Sequence, residues 1–550
     1  MTIYDYIVIG GGISGLNIAY KLSDNKNSIL LVEKNHRLGG RIHTYKLEDN
    51  KMLYEAGAAR FHKGHKNLVN LIKIFDLEKN MVEIPTKRQF YPNRYKYNIP
   101  KKYEDFQNIF NEVIQKSKKL SDNELRTHSF IDLVTRFINK EVAKYLENGY
   151  GYLSELIHMN GKQSVDSFEH DLNTKFNYYV LKNGLSELID NMEKFIVENG
   201  CKINKSATLN KINLHDGIYE LELNKFVSGK FKVDKVKCKK LILALDKHSL
   251  LNIDYLKPLK KKLESVNMKC LNRIYAIYPK DKKTNKVWFH DVKLQTTDYD
   301  LKFIIPIDYK HGLIMISYCD DKFAEFWENK MVEGEDKLVE EISKQLKLIF
   351  PKKNIPKPKY IKSHFWEHGV SYWNLGVHAE KINKEIEKPF SNEDLYICGE
   401  SYSMRQGWCE GALESSNSII NLLNGIKKNK TPKKSNKIKN TIGKNSKKKS
   451  KKKRKKKRKK KSSKEEQEGG KSLKSYTLKE IKKHNKKNNL WIIIKDKVVN
   501  VTKWQNSHPG GSSILKKYGG KDATEAFVNR GHSDYAYKMM KSFIIGKVKK

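Results

Sequence analysis

Three glycines near the start of the chain are spaced for chemistry on a phosphate. Gly10, Gly12 and Gly15 stand in a G-x-G-x-x-G pattern, with Ser14 inside it, between a short apolar run at residues 6–9 and a stretch of helical periodicity. The pattern suits a strand that turns sharply into a helix. Gly10 permits the tight turn, Gly12 lacks a Cβ and lets a pyrophosphate reach the backbone, and Gly15 lets the helix lie close on the strand. Free N–H groups and the dipole at the helix N-terminus then favour the anion. A second apolar run, residues 28–32, ends at Glu33. A carboxylate there, about 20 residues beyond the glycines, accepts hydrogen bonds from both ribose hydroxyls and repels the extra phosphate of NADP. Residues 4–34 therefore read as a βαβ unit that binds a dinucleotide.

The residues that follow narrow the choice. Glu33 is followed by KNHRL, then Gly39, Gly40 and Arg41, with Thr44 beyond. The combined pattern resembles the flavin-dependent amine oxidase superfamily, which implies FAD rather than NAD, with Gly39, Gly40 and Arg41 closing over its diphosphate. Residues 52–62, MLYEAGAARFH, resemble the next segment of that family, which implies Gly57 and Ala58 near the flavin ring. Arg60 falls where the amino-acid-oxidising branch carries an arginine for the substrate carboxylate, a role that a planar fork of donors suits. Pairing with a flavin phosphate or a neighbouring acid is the alternative.

Residues 364–376 resemble the family's tryptophan-then-glycine-aromatic segment, with Trp366, Gly369 and Tyr372 in the matching places. Ser371 stands where members with covalent FAD carry cysteine, so the resemblance implies non-covalent FAD. In residues 395–423, Gly399 and Glu400 end a strand, and Glu410, Gly411 and Ala412 open a helix as in the closing FAD motif. Tyr372 and Trp408 are implied as two walls of an aromatic cage around an amine, with plain core packing as the alternative. Arg273 falls where many members place a lysine linked through water to flavin N5. Arginine cannot lose its proton as a buried lysine can, so fast reaction with O₂ is in doubt. Lys269 is the alternative basic residue.

These segments need elements to position them. Apolar residues recur at three- and four-residue spacing through residues 101–176, the mark of a helical insertion over the substrate cavity. Residues 181–200 resemble the family's segment that opens a further helix, and residues 241–245 resemble its later strand that returns to the FAD domain. The run 211–223 is β-like, and alternating segments in 273–318 read as strands of a substrate-domain sheet. The fold class is α/β: a Rossmann-type FAD-binding domain with an interleaved α+β substrate domain over residues 1–426.

Beyond residue 426 the composition changes abruptly. Residues 427–472 hold almost no apolar side chains and nearly half of the chain's formal charge of +46. Such a segment cannot build a core and reads as a disordered, self-repelling linker. Its densest part, residues 451–461, reads as a nuclear-localisation or non-specific nucleic-acid and polyanion patch, with a solvated tether as the alternative. Residues 473–550 resemble cytochrome b5, a small α+β domain. His508 in HPGG and His532 in GHS match its two haem-ligand motifs, which implies a b-type haem with both axial positions filled and a role in single-electron transfer.

In the 550 residues there is no apolar run of 18 or more, so no transmembrane segment is expected. The six cysteines are scattered without C-x-x-C spacing, as reduced thiols in a cytosol-like compartment would be. The expected location is intracellular and soluble, without a signal peptide. The nucleus is one compartment for such a chain. Packaging with nucleic acid is another, if the gene belongs to a large A+T-rich DNA virus, as the abundance of Lys, Asn and Ile would suit.

The function expected from these readings is oxidation of an amine or L-amino acid to the imine by FAD, with electrons passed to O₂ or to the fused haem. Two alternatives remain open: a flavin desaturase or C–C oxidase linked to cytochrome b5, and a non-catalytic redox protein that binds polyanions. Fold alone does not decide among them.

Overall fold

The computed structural model describes residues 2–23, 26–47, 52–172, 176–227, 230–425, 474–505, 508, 512–529 and 534–549. The lysine-rich segment 427–472, including 451–461, lies outside the described residues, as do His532 and residues 509–511.

A strand with apolar residues on both faces needs a sheet covered on both sides. β1 (Ile3–Ile9) and β2 (Ile29–Glu33) pair in parallel, with Ile7 opposite Leu30, inside a seven-stranded sheet. The end of Lys230–Ala244 and then Leu395–Cys398 extend it in parallel on one side, and Lys202–Lys205 on the other. α1 (Ile13–Leu22) covers one face, where Leu16 and Ala19 share a core with Leu188 of Ser186–Glu198 and Leu413 of Cys409–Leu423. On the other face Ile9, Leu30 and Leu243 pack with Leu221, Leu256 and Trp373. Strands of this sheet come from three separated parts of the chain, so the second unit is interleaved with the first.

That second unit is built on a six-stranded sheet in the order Tyr360–Trp373, Val266–Ile277, Leu313–Asp320, Phe303–Asp308, Gln295–Thr297 and Gln89–Tyr91, antiparallel except for the last pair. The helical insertion packs against it around Phe110, Phe130, Leu133, Tyr150 and Phe168, and the rings of Phe110 and Phe168 stack at 4.5 Å. Its helices start on side-chain caps, including complete capping boxes at Ser121/Glu124 and Ser129/Asp132.

Among the described residues the C-terminal domain has a five-stranded sheet and four helices, Leu478–Ile481, Ser512–Lys517, Thr524–Asn529 and Asp534–Ser542. Leu490, Ile492, Val499 and Leu515 form its core, with Trp504, Phe527 and Phe543 packed on it. Among the described residues no helix is long and apolar enough to cross a membrane. All six cysteines are buried free thiols.

Candidate active site

A cavity of ≈ 2430 Å³ runs between the two interleaved units. Pockets for one small ligand usually span about 300–1,000 Å³, so this one has room for a dinucleotide and a substrate together. One end is shaped by backbone. Gly10 has φ +107°, and a Cβ there would stand 2.3 Å from the Ala244 carbonyl oxygen; a Cβ on Gly15 would stand 1.9 Å from that of Gly10. Gly12 differs from both, because a Cβ on it would meet nothing within 4 Å. The second glycine pair folds onto the first: the Gly39 N–H donates to the Gly11 carbonyl at 2.8 Å, and a Cβ on Gly40 would lie 3.3 Å from the Gly12 Cα.

Glu33 lines the cavity and is tied at both oxygens, accepting from the Gly11 N–H at 2.7 Å and the Asn35 N–H at 2.8 Å. A carboxylate has about four lone-pair sites, so capacity remains for ribose hydroxyls. Ser14 donates to the Ala412 carbonyl at 2.8 Å and so joins α1 to the closing helix. Arg41 pairs with Glu400 at 2.5 Å and donates to the Gly369 carbonyl at 3.1 Å. Burial opposes the Arg41 charge, but Glu400 outweighs it and holds the guanidinium above its ordinary pKa. Gly57 needs its missing side chain, since a Cβ would stand 1.9 Å from the Arg41 carbonyl oxygen, and Ala58 donates to that same oxygen at 3.0 Å. Gly399 has φ +139°, and it lines the cavity along with Gly57, Ala58, Glu400 and Ala412.

Glu410 and Gly411 are placed differently. Glu410 accepts from the N–H groups of Asn67 and Leu68 at 2.8 and 3.0 Å, capping α2 (Lys66–Ile74), and neither residue belongs to the cavity wall. They hold the closing segment to the fold.

The other end is made of side chains. Arg273 is buried, donates to the Glu55 carbonyl at 3.0 Å and lies 4.3 Å from the centre of the Tyr318 ring. Burial is the largest single influence and opposes its charge, but Tyr318, Tyr275 and Tyr152 together raise the pKa. Trp366 donates to the Ala56 carbonyl at 2.7 Å, and together these bonds pin residues 55–58. Lys269, the alternative to Arg273, is spent on Asp321 at 2.6 Å and is not part of the wall. Arg60 donates to the Tyr152 hydroxyl at 3.3 Å and lies over the Tyr178 ring at 5.2 Å. No carboxylate pairs with it among the described residues.

Trp408 lines the cavity and Tyr372 does not. Tyr372 is buried with its ring stacked on His158 at 5.4 Å, because the wall in that strand ends at Val370. The aromatic residues that face the chamber are Tyr152, Tyr178, Tyr318, Trp366 and Trp408, among others.

Behind Trp408, His62, His65 and Asp171 bring ligand-type atoms within 4.8 Å of one another. Their hydrogen bonds argue against a metal. The Trp408 indole N–H donates to His65 Nδ1 at 3.1 Å, and the Gly64 N–H donates to His62 Nδ1 at 3.0 Å. Both Nδ1 atoms therefore present lone pairs and both Nε2 atoms carry the proton, with His65 Nε2 3.4 Å from Asp171. Ligation through Nε2 needs the reverse arrangement, and ligation through Nδ1 would displace the indole and backbone donors from those lone pairs. The trio fixes the indole instead.

Comparison with known proteins agrees with this geometry. Residues 13–418 match the family described as flavin containing amine oxidoreductase. The chain belongs to that family. It is an FAD-dependent oxidoreductase fused to a cytochrome b5 domain, since residues 477–549 match the cytochrome b5-like heme/steroid binding domain. The fold of a wild-type putrescine oxidase solved with putrescine bound covers 77% of this chain and 99% of its own, with TM-score 0.60 and 14% identity. A double mutant of that oxidase, redesigned at its cofactor site, covers 76% and 99% with the same TM-score. Cytochrome b5 of Saccharomyces cerevisiae is 48% identical over 77 residues, which is 14% of this chain and 64% of that protein. Cytochrome b5 of Bos taurus is 45% identical over 82 residues, 15% of this chain and 61% of that protein. The chain thus spans roughly three fifths of the length of these two relatives.

In the haem domain, His508 is half-buried just before the helix Ser512–Lys517, with its ring 4.9 Å from that of Trp504. His508, Ser512 and Lys516 also border the large cavity. Lys517 reaches Asn329 at 3.5 Å and the Phe365 ring at 5.7 Å, and Val332 touches the apolar core of the haem domain.

Proposed function

We propose that the chain oxidises an L-amino acid, or a related amine, to its imine at a non-covalently bound FAD, and that its own haem takes the electrons. Arg60 carries the substrate assignment, as a guanidinium that faces the cavity with phenol rings about it and no acid to neutralise it. A carboxylate suits that position; the ammonium groups of a diamine do not.

In this reading Gly10, Gly12, Gly39 and Gly40 cradle the diphosphate, Ser14, Arg41, Gly57, Ala58, Gly399, Glu400 and Ala412 shape the flavin chamber, and Glu33 holds the ribose. When bound, FAD supplies the acceptor for the hydrogen of the substrate carbon. Arg60 anchors the carboxylate, Trp408 and Trp366 wall the amine and exclude water, and Arg273 keeps a fixed positive charge near residues 55–58. Ser371 is fully buried and bonded to Glu400 and Ser401, at 2.8 and 3.0 Å, which supports FAD without a covalent link. His508 and His532 are the residues that would hold the haem, which would supply single-electron transfer. Haem as acceptor is supported by Arg273 in place of lysine and by His508 bordering the same cavity.

Mixing the holoenzyme anaerobically with a panel of L-amino acids and simple amines tests the substrate reading through flavin bleaching. Amino acids should bleach the flavin faster than simple amines; the opposite order refutes the role of Arg60. Acid precipitation should leave the yellow colour in the supernatant, and colour in the pellet would contradict non-covalent binding. For residues 451–461 we propose salt-sensitive binding of nucleic acid or another polyanion. Their deletion should lower the salt needed to elute the protein from heparin, and an unchanged elution would reject the idea.

A further inference from the structure

The chamber wall near Trp408 includes a turn of unusual winding. Residues Ser154–His158 form a π-helix, a rare geometry met most often at functional sites. It carries Glu155, which lines the cavity. Glu155 Oε1 lies 3.8 Å from where a Cβ on Gly407 would stand, next to Trp408 in the chain, while Oε2 is buried without a hydrogen-bond partner. A buried polar atom left unbonded costs about 1–3 kcal/mol, a cost that a donor arriving in the cavity would remove.

The neighbouring carboxylate is already satisfied. Asp320 accepts the Leu153 and Ser154 N–H groups, each at 2.8 Å. Burial raises the Asp320 carboxyl above its ordinary value, and these two backbone donors oppose that rise. Burial, then Asp320 and Glu400, push Glu155 up to about 8. Arg60 and Glu155 both line the cavity, so the two ends of an α-amino acid would find a cation and a carboxyl in one chamber. Of the other acid–base groups of the wall, Glu55 takes the Leu185 N–H at 2.5 Å and the Thr44 hydroxyl at 2.9 Å, and the acceptor nitrogen of His65 is bonded to Trp408; Glu367 and Asp171 share with Glu155 a buried oxygen without a hydrogen-bond partner, but neither stands on the π-turn.

We propose that Glu155 is the acid–base group of the site and takes the proton that the substrate ammonium must lose. An N–H bond of the ammonium breaks, its electron pair stays on nitrogen, and an O–H bond forms on the Glu155 carboxylate. No oxidation accompanies this step. Ionised Glu155 with an ammonium, and neutral Glu155 with a free amine, contain the same number of protons, so the site selects that one protonation state. Arg60 meanwhile holds the carboxylate, and the nitrogen lone pair becomes available to the adjacent C–H bond. The proton returns to water when product leaves.

This assignment rests on the amine-oxidising reading, and the experiment separates the two. Full-length holoenzyme and its Glu155→Gln, Glu155→Asp and Glu55→Gln variants are compared by infrared titration and by kcat/KM against pH, with L-phenylalanine, L-leucine, benzylamine and putrescine as probes. The unmodified protein should show a protonated-carboxyl band that disappears as pH rises through about 8, present in Glu55→Gln and absent in Glu155→Gln. Its kcat/KM should rise over the same pH range, whereas Glu155→Gln should be slower by about 100-fold and lose the limb near pH 8, keeping only the rise that follows ionisation of the substrate amine itself, and Glu155→Asp should regain a limb of its own. Persistence of both band and limb in Glu155→Gln overturns the assignment while leaving amine oxidation intact. Failure of all four probes to bleach the flavin of the unmodified protein overturns the amine-oxidising reading, and the role of Glu155 with it.

Discussion

The two ends of the large cavity are built by opposite means. At the cofactor end, glycines bring backbone to backbone within four short stretches, and what matters is the side chain that is missing. At the substrate end, Arg60, Glu155, Arg273, Trp366 and Trp408 arrive from distant segments, and what matters is which charge lacks a partner. The first kind of site is specified locally and fails by steric collision; the second depends on the packing of the whole domain and fails by loss of charge or shape.

The strongest test of this contrast is at the glycines. Gly15→Ala places a Cβ 1.9 Å from the Gly10 carbonyl oxygen, so the turn must open and the flavin domain should lose several degrees in Tm as well as its FAD. Gly12→Ala meets no atom of the chain. Its FAD-free form should melt with the unmodified protein and still fail to retain FAD, as read from the flavin-to-protein ratio. Equal melting of the two variants would break the distinction. Glu33→Ala comes next, since loss of charge-assisted bonds should weaken FAD affinity by about 1.5–3 kcal/mol in a titration of apoprotein.

At the substrate end, Arg60→Leu should raise KM for amino acids about 10- to 100-fold while sparing simple amines, with FAD content unchanged. Loss of FAD in that variant would move Arg60 to the cofactor end. A smaller effect is expected from Glu55, which burial pushes up to about 7 despite bonds from Leu185 and Thr44. Its unfolded value lies lower, so the folded state retains the proton longer and stability falls as pH rises from about 4.5 to about 7. Glu55→Gln should therefore stabilise the apoprotein at pH 8 relative to the unmodified chain and change little at pH 4. An unchanged difference across that range would remove Glu55 as the source.

The contrast also explains what the sequence disclosed. The glycine turns, Glu33 and the strand–helix order were legible because each requirement is met within a few residues. The helical insertion and three strands of the six-stranded sheet, within residues 273–318, were legible from periodicity; Gln89–Tyr91, Gln295–Thr297 and Tyr360–Trp373 were not. Tyr372 was assigned to the cavity by its segment, but the wall in that strand ends at Val370 and the tyrosine faces His158 instead. Glu410 and Gly411 sit in a cofactor motif yet serve packing. Glu155 gave no signal, being one acid among 63 Asp and Glu in the chain, and its role depends on a π-turn and on Asp320 165 positions away. Trp408 was visible, whereas the His65 bond that holds it joins residues 343 apart.

In the proposed reaction, electrons pass from an amine-bearing substrate through FAD to the chain's own haem. A linker of about 45 residues keeps two domains at an effective concentration on the order of millimolar, so the transfer should be intramolecular. The direct measurement is anaerobic mixing of the holoenzyme with a substrate that bleaches the flavin, while flavin and haem absorbance are followed together. Haem reduction after flavin bleaching, at a rate independent of protein concentration and abolished by His508→Ala, is the predicted result. Flavin bleaching with haem left oxidised, and aerobic turnover unaltered by His508→Ala, would contradict it.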